Sequence, residues 1–97
     1  MPISIILMKL TDQGIKDIKS APRRIEEGIK AAEKMGIKVT GFYAVQGEYD
    51  YVSIGESPSD EVGMTFTLGL GSLGNVRTTT LKAFTKEEFA EIVKKLP

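Results

Sequence analysis

The chain has 97 residues, 41% hydrophobic and 27% charged, and its 13 Lys and Arg balance its 13 Asp and Glu. That length suits one soluble domain, since a domain takes about 100–150 residues. Zero net charge argues against nucleic-acid binding, and the lack of any Cys or His excludes disulfides, zinc fingers, Cys nucleophiles and Ser-His-Asp triads.

Residues Ile3 to Lys9 form the first predicted strand, with Ile3, Ile5 and Leu7 on one face and Ile6 and Met8 on the other. A strand apolar on both faces must be covered on both sides. Its core, Ile5-Ile6-Leu7-Met8, is too short to span a membrane, which takes about 20 apolar residues. No basic residue precedes it and no small-residue cleavage site follows it, so no signal peptide is expected and the cytoplasm is the expected compartment. Thr11-Asp12-Gln13 opens a short helical turn carrying Ile15 and Ile18. Ser20 then caps a helix with Pro22 in its first turn, Ile25, Ile29 and Ala32 along its apolar face, and Gly36 at its end.

Residues Ile37 to Gln46 and Asp50 to Glu56 are the second and third strands. The short link Gly47-Glu48-Tyr49 forces them into an antiparallel hairpin. Ser57-Pro58-Ser59-Asp60 reads as a helix start, with Ser57 as cap, Pro58 at the first position and Asp60 as the capping-box acid. Val62, Phe66, Leu70 and Leu73 give that helix its apolar stripe. Asn75 to Phe84 is the fourth strand. Thr85 and Glu88 make a second capping box, ahead of a final helix whose Phe89, Ile92, Val93 and Leu96 are expected to face a core.

The resulting order, β-α-β-β-α-β plus a terminal helix, is the ferredoxin-like α+β arrangement in a single domain, residues 1–97. Both crossover helices fall on one face of a four-stranded antiparallel sheet. The other face, carrying either Ile6 and Met8 or Ile3, Ile5 and Leu7, is left bare. A bare apolar face of several hundred Å2 is uncommon in a monomer. A homodimer through that open sheet face is therefore expected, two sheets making a dimeric α+β barrel.

Gly69-Leu70-Gly71-Ser72-Leu73-Gly74 matches the dinucleotide fingerprint, but it closes a helix and precedes a strand, the reverse of the required context. Gly63, Gly69 and Gly71 inside a helix each cost about 1 kcal/mol relative to Ala. Close helix-on-sheet packing is the favoured account, with ligand approach as the alternative. Gly74 is read as the terminating cap. The candidate ligand-binding residues are Tyr49, Asp50 and Arg77. Tyr49 and Asp50 sit at the hairpin, where turn chemistry competes with hydrogen-bond donor and base roles. Arg77 is one of three arginines; it could grip a carboxylate or phosphate, or bridge to Glu56 or Asp50. The other two, Arg23 and Arg24, are placed on an exposed helix start. No metal or cofactor site is expected, because only carboxylates are available as ligands and no paired-carboxylate motif appears.

Gly47-Glu48-Tyr49-Asp50, Leu68-Gly69-Leu70-Gly71-Ser72-Leu73-Gly74-Asn75-Val76-Arg77-Thr78, Lys82-Ala83-Phe84-Thr85 and Lys9-Leu10-Thr11-Asp12-Gln13-Gly14 together resemble the GYD domain family over nearly the whole chain. The resemblance implies a ferredoxin-like, dimeric α/β-barrel protein of prokaryotes and specifies no chemistry. Two functions follow as expectations. One is a homodimeric module that binds a small molecule or regulates a partner, away from nucleic acid and membrane. The other is a cofactor-free dimeric-barrel enzyme, resembling monooxygenases, decarboxylases or isomerases, using Tyr49, Asp50 and Arg77 around one enclosed cavity.

Overall fold

A computed structural model describes all 97 residues. The elements are β1 (Ile3–Leu10), α1 (Asp12–Lys16), a 3-10 turn (Ile18–Ser20), α2 (Ala21–Lys34), β2 (Lys38–Ala44), β3 (Tyr51–Glu56), α3 (Asp60–Ser72), β4 (Val76–Ala83) and α4 (Lys86–Lys94). The sheet order is β2-β3-β1-β4, every pair antiparallel. This is the expected α+β, ferredoxin-like topology. β1, the most apolar strand, lies in the middle, where both its edges are paired.

Alternation along β1 decides the two faces. Met8 is buried in a cluster with Tyr51 and Val76, against which Ile6, Leu10, Phe42, Ile25 of α2 and Leu70 of α3 pack. The even positions of β1 therefore face the helices. The odd set, Ile3, Ile5 and Leu7, lies on the bare face with its register partners Val52, Ile54 and Leu81. α2 lies over β2 and α3 over β4. A register shift between Val39 and Gly41 bulges β2 at Thr40, whose Oγ1 donates to Ile54 O at 3.2 Å.

Several local signals land where the residues put them. Gly36 and Gly74 close α2 and α3 with φ of +82° and +86°, a conformation that costs a glycine little. Thr85 and Glu88 form the reciprocal capping box, Glu88 N–H donating to Thr85 Oγ1 at 3.0 Å and Thr85 N–H to Glu88 Oε1 at 2.7 Å. α3 runs to Ser72, so the glycine-rich segment is helix for most of its length.

Other expectations are corrected. Ser20 makes no cap bond, because the preceding 3-10 turn already holds it in helical geometry; its hydroxyl turns back to Asp17 Oδ2 at 2.6 Å. The cap of α3 is Ser59, which accepts from Val62 N–H at 3.2 Å. Ser57 is buried two residues earlier, its N–H donating to Pro2 O at 2.9 Å and its hydroxyl to Ser59 O. Gly69 and Gly71 have open space where a Cβ would stand, and Gly63 would meet only Ser57 at ordinary contact distance, so tight packing does not explain them. The apolar stripe of α4 faces no core: Phe89 is 62% exposed, Leu96 is 68% exposed, and the helix buries no residue. Periodicity marks the stripe but not its cover, and the helix layer of this chain is already filled by α2 and α3.

Gly14 is the glycine that packing does require. A Cβ there would overlap Asn75 O, a backbone atom that cannot swing aside. Gly14→Ala should lower stability by about 3 kcal/mol through overpacking. Gly71→Ala, with nothing near it, should raise stability by about 1 kcal/mol through helix propensity. Paired thermal melts check both signs.

Candidate functional site

Three chain segments meet at the end of the sheet where β1 finishes. Asp50 joins the hairpin to β1 by two bonds, its Oδ2 accepting from Leu10 N–H at 2.8 Å and its N–H donating to Met8 O at 2.8 Å, and closes the hairpin with a third, its carbonyl accepting from Val45 N–H at 2.9 Å. Gly47, at φ +120°, turns the chain into that position. Thr11 holds the turn between α3 and β4, its N–H donating to Asn75 O at 3.0 Å and its hydroxyl to Gly74 O at 2.5 Å. Gln13 Nε2 reaches Leu73 O and Asn75 Oδ1, both at 3.0 Å. The motif segments around Lys9–Gly14, Gly47–Asp50 and Gly69–Thr78 thus clamp one another.

Tyr49 and Arg77 lie at the same end of the bare face. Arg77 is the register partner of Lys9, so two cations stand side by side on neighbouring strands. Lys9 Nζ sits 5.5 Å from the centre of the Tyr49 ring and 3.9 Å from Glu48 Oε1. No carboxylate lies within 4.0 Å of Arg77, and the bridge to Glu56 or Asp50 is not made. Like charges directly opposite in a sheet repel, so this corner favours an incoming anion.

Arg24 is a correction. It is half-buried, and its guanidinium donates to Asp17 O at 2.7 Å, Ser20 Oγ at 2.5 Å and Gly14 O at 3.2 Å, tying α2 to the short helices before it.

Two concavities lie on the helix side of the sheet. A groove of about 720 Å3 runs between α2 and α3, and a smaller one of about 270 Å3 adjoins the start of α3. Neither is lined by Tyr49, Asp50 or Arg77. Sequence reasoning missed the groove; strand alternation puts Tyr51 and Ser53 on one face of β3, but the space above them depends on where α2 and α3 sit. No three His, Cys, Asp or Glu side chains gather as a metal-binding group, and no helix is long and apolar enough to cross a membrane.

Residues 5–93 match the GYD domain. The chain belongs to the GYD domain family. A relative from Thermus thermophilus, named glutamine synthetase and cystathionine beta-lyase binding protein, is 38% identical over 84 residues, covering 86% of this chain and 88% of that protein. Among solved structures, FFRP-DM1 superposes with a TM-score of 0.61 at 20% identity, covering 87% of this GYD chain and all of that one (100%). The leucine response regulatory protein LrpA of Mycobacterium tuberculosis gives a TM-score of 0.58 at 18% identity, over 88% of this chain and 51% of its own. A further structure, from Thermus thermophilus, gives 0.54 at 26% identity, over 88% and 95%. The first two likenesses carry the ferredoxin-like fold.

The Asp50 clamp has a measurable weight. Removing its charged acceptor in Asp50→Ala should cost about 2 kcal/mol, whereas Asp50→Asn, which keeps an acceptor oxygen, should lose less than half of that. Urea denaturation of the three proteins checks the order.

Proposed function

We propose that this GYD chain is a homodimeric module that binds or regulates a partner protein in the cytoplasm. The observation that carries the dimer is the bare sheet face. Ile3, Ile5, Leu7, Val52 and Ile54 form its apolar centre, with Tyr43 and Leu81 exposed at its flanks. Fully covering each such side chain is worth about 1.5–3 kcal/mol. A second copy presenting the same patch would turn the two sheets into a dimeric α+β barrel.

The partner contact is proposed at the end of that barrel. Arg77 and Lys9 would receive an acidic group, Tyr49 would add a hydrogen bond, and Asp50 would hold the hairpin that positions them. The Thermus relative, by its name a binding protein for two enzymes, supports a protein partner over catalysis.

Sedimentation tests the dimer. The native chain should run at about twice its 10.6 kDa mass at micromolar concentration, and Leu7→Asp should run as a folded monomer. Lys30→Glu, on the exposed side of α2, should leave the pair intact. A native chain that stays monomeric at those concentrations overturns the reading.

A further inference from the structure

The groove between α2 and α3 carries an inference independent of the bare face. Its walls are Ile25 and Ile29 of α2 and Phe66 and Leu70 of α3, and Met8 and Phe42 lie on its sheet side. At about 720 Å3 it falls within the range of small-molecule sites. Two polar side chains are set into this apolar surface. Tyr51 is 8% exposed and Ser53 is 9% exposed. They are two residues apart on β3, facing the same way. Neither Tyr51 Oη nor Ser53 Oγ has a hydrogen-bond partner in the chain, and neither is sealed from the groove.

The surrounding charges are already engaged. Arg24 is held by Asp17, Ser20 and Gly14, and Arg23 pairs with Glu27 at 3.7 Å. Arg23 and Glu27 stand exposed at the rim and Arg24 is spent on the chain's own acceptors, so no charged side chain is set inside the groove to compensate a buried ion, which would be costly to desolvate. The ligand's polar group is therefore neutral.

We propose that this groove binds an uncharged amphipathic small molecule, its aliphatic or aromatic body between α2 and α3 and its hydroxyl, carbonyl or amide group on Tyr51 Oη and Ser53 Oγ. This deepens, and rests on, the reading of the chain as a binding module. The glycines fit the assignment: Gly28 on α2 and Gly69 on α3 both line the groove, with nothing within 4 Å of where a Cβ would stand. They widen the cleft from both walls. Ser53 also lines the smaller cavity, whose wall includes Ser4, Ser57, Thr67 and Thr80, so the polar end of a ligand meets a hydroxyl-rich pocket.

The chain's own α4 is a poor occupant. It follows Ala83, the register partner of Ile3, whereas the groove lies around Met8 and Val76. Val76 is about 23 Å of strand from Ala83, and no residue of α4 lines the groove. The α4 of a second copy would lay Phe89, Ile92 and Val93 on the two hydroxyls and leave both without acceptors, each at a cost of about 1–3 kcal/mol.

Nile red, a neutral dye with a carbonyl acceptor, is the probe, and displacement by 4-propylphenol or propylbenzene is the readout, in the full chain. The dye should bind once per chain with a blue-shifted emission. Gly69→Leu, which fills the groove, should abolish that signal while melting temperature and mass hold. Tyr51→Phe and Ser53→Ala should each weaken 4-propylphenol about fivefold, the weight of one hydrogen bond, and leave propylbenzene unchanged. Tyr51→Phe retains the ring and keeps the test meaningful if Gly69→Leu misfolds. Dye binding that survives Gly69→Leu overturns the proposal, as does equal weakening of both competitors. A gain of dye binding in Phe89→Asp would assign the groove to the α4 of another copy and also overturn it. Leu7→Asp separates the two readings: a monomer that still binds dye upholds the groove, and loss of the dye with the dimer places the dye on the sheet face instead and sinks it.

Discussion

The close approach of Gly14 to the Asn75 carbonyl, locked by Thr11 and Gln13, is the contact on which the arrangement depends. It brings the end of β1 against the turn that starts β4, more than sixty residues later in the chain. That contact sets the register of the two strands, and register in turn decides which side chains face the helices. Asp50 adds the hairpin to the same corner through the Leu10 N–H. The corner closes long loops, and its bonds satisfy backbone groups at strand and helix ends that would otherwise lack partners.

Once register is set, the two faces of the sheet take different roles. The helix face carries Met8, Tyr51 and Val76 as its small buried core, but α2 and α3 stand over the opposite edge strands and leave the groove between them. The other face carries the odd residues of β1 and has no cover within the chain. A domain of this size cannot cover both sides of a sheet with two crossover helices. One face has no cover within the chain and the other leaves an open groove between its two helices.

Legibility in the sequence followed the range of each interaction. The capping box of Thr85 and Glu88 spans three residues and was readable, as was the closure of α2 by Gly36. The start of α3 was misplaced by two residues because Ser57 and Ser59 are both competent caps. The choice between them came from the long-range bond of Ser57 to Pro2. The glycines of α3 looked like packing glycines, but the space beside Gly69 and Gly71 is open. The need for Gly14 has no local signal, because the neighbour that demands it, Asn75, is remote in the chain. Tyr49, Asp50 and Arg77 were singled out together. The fold brings them to one corner, yet it commits an Asp50 oxygen to the backbone and leaves Arg77 without a carboxylate.

The sequence by itself determined element type and order, and through them the ferredoxin-like topology and the family, because those depend on periodicity and capping within a few residues. It also determined that one sheet face would lack a helical cover, since only two crossover helices are encoded. Only the tertiary structure decided that this face is the Ile3, Ile5, Leu7 face, that α4 finds no core, and that Tyr51 and Ser53 open into a groove. Each of these is set by where distant backbone segments meet, and no local pattern of side chains records that meeting.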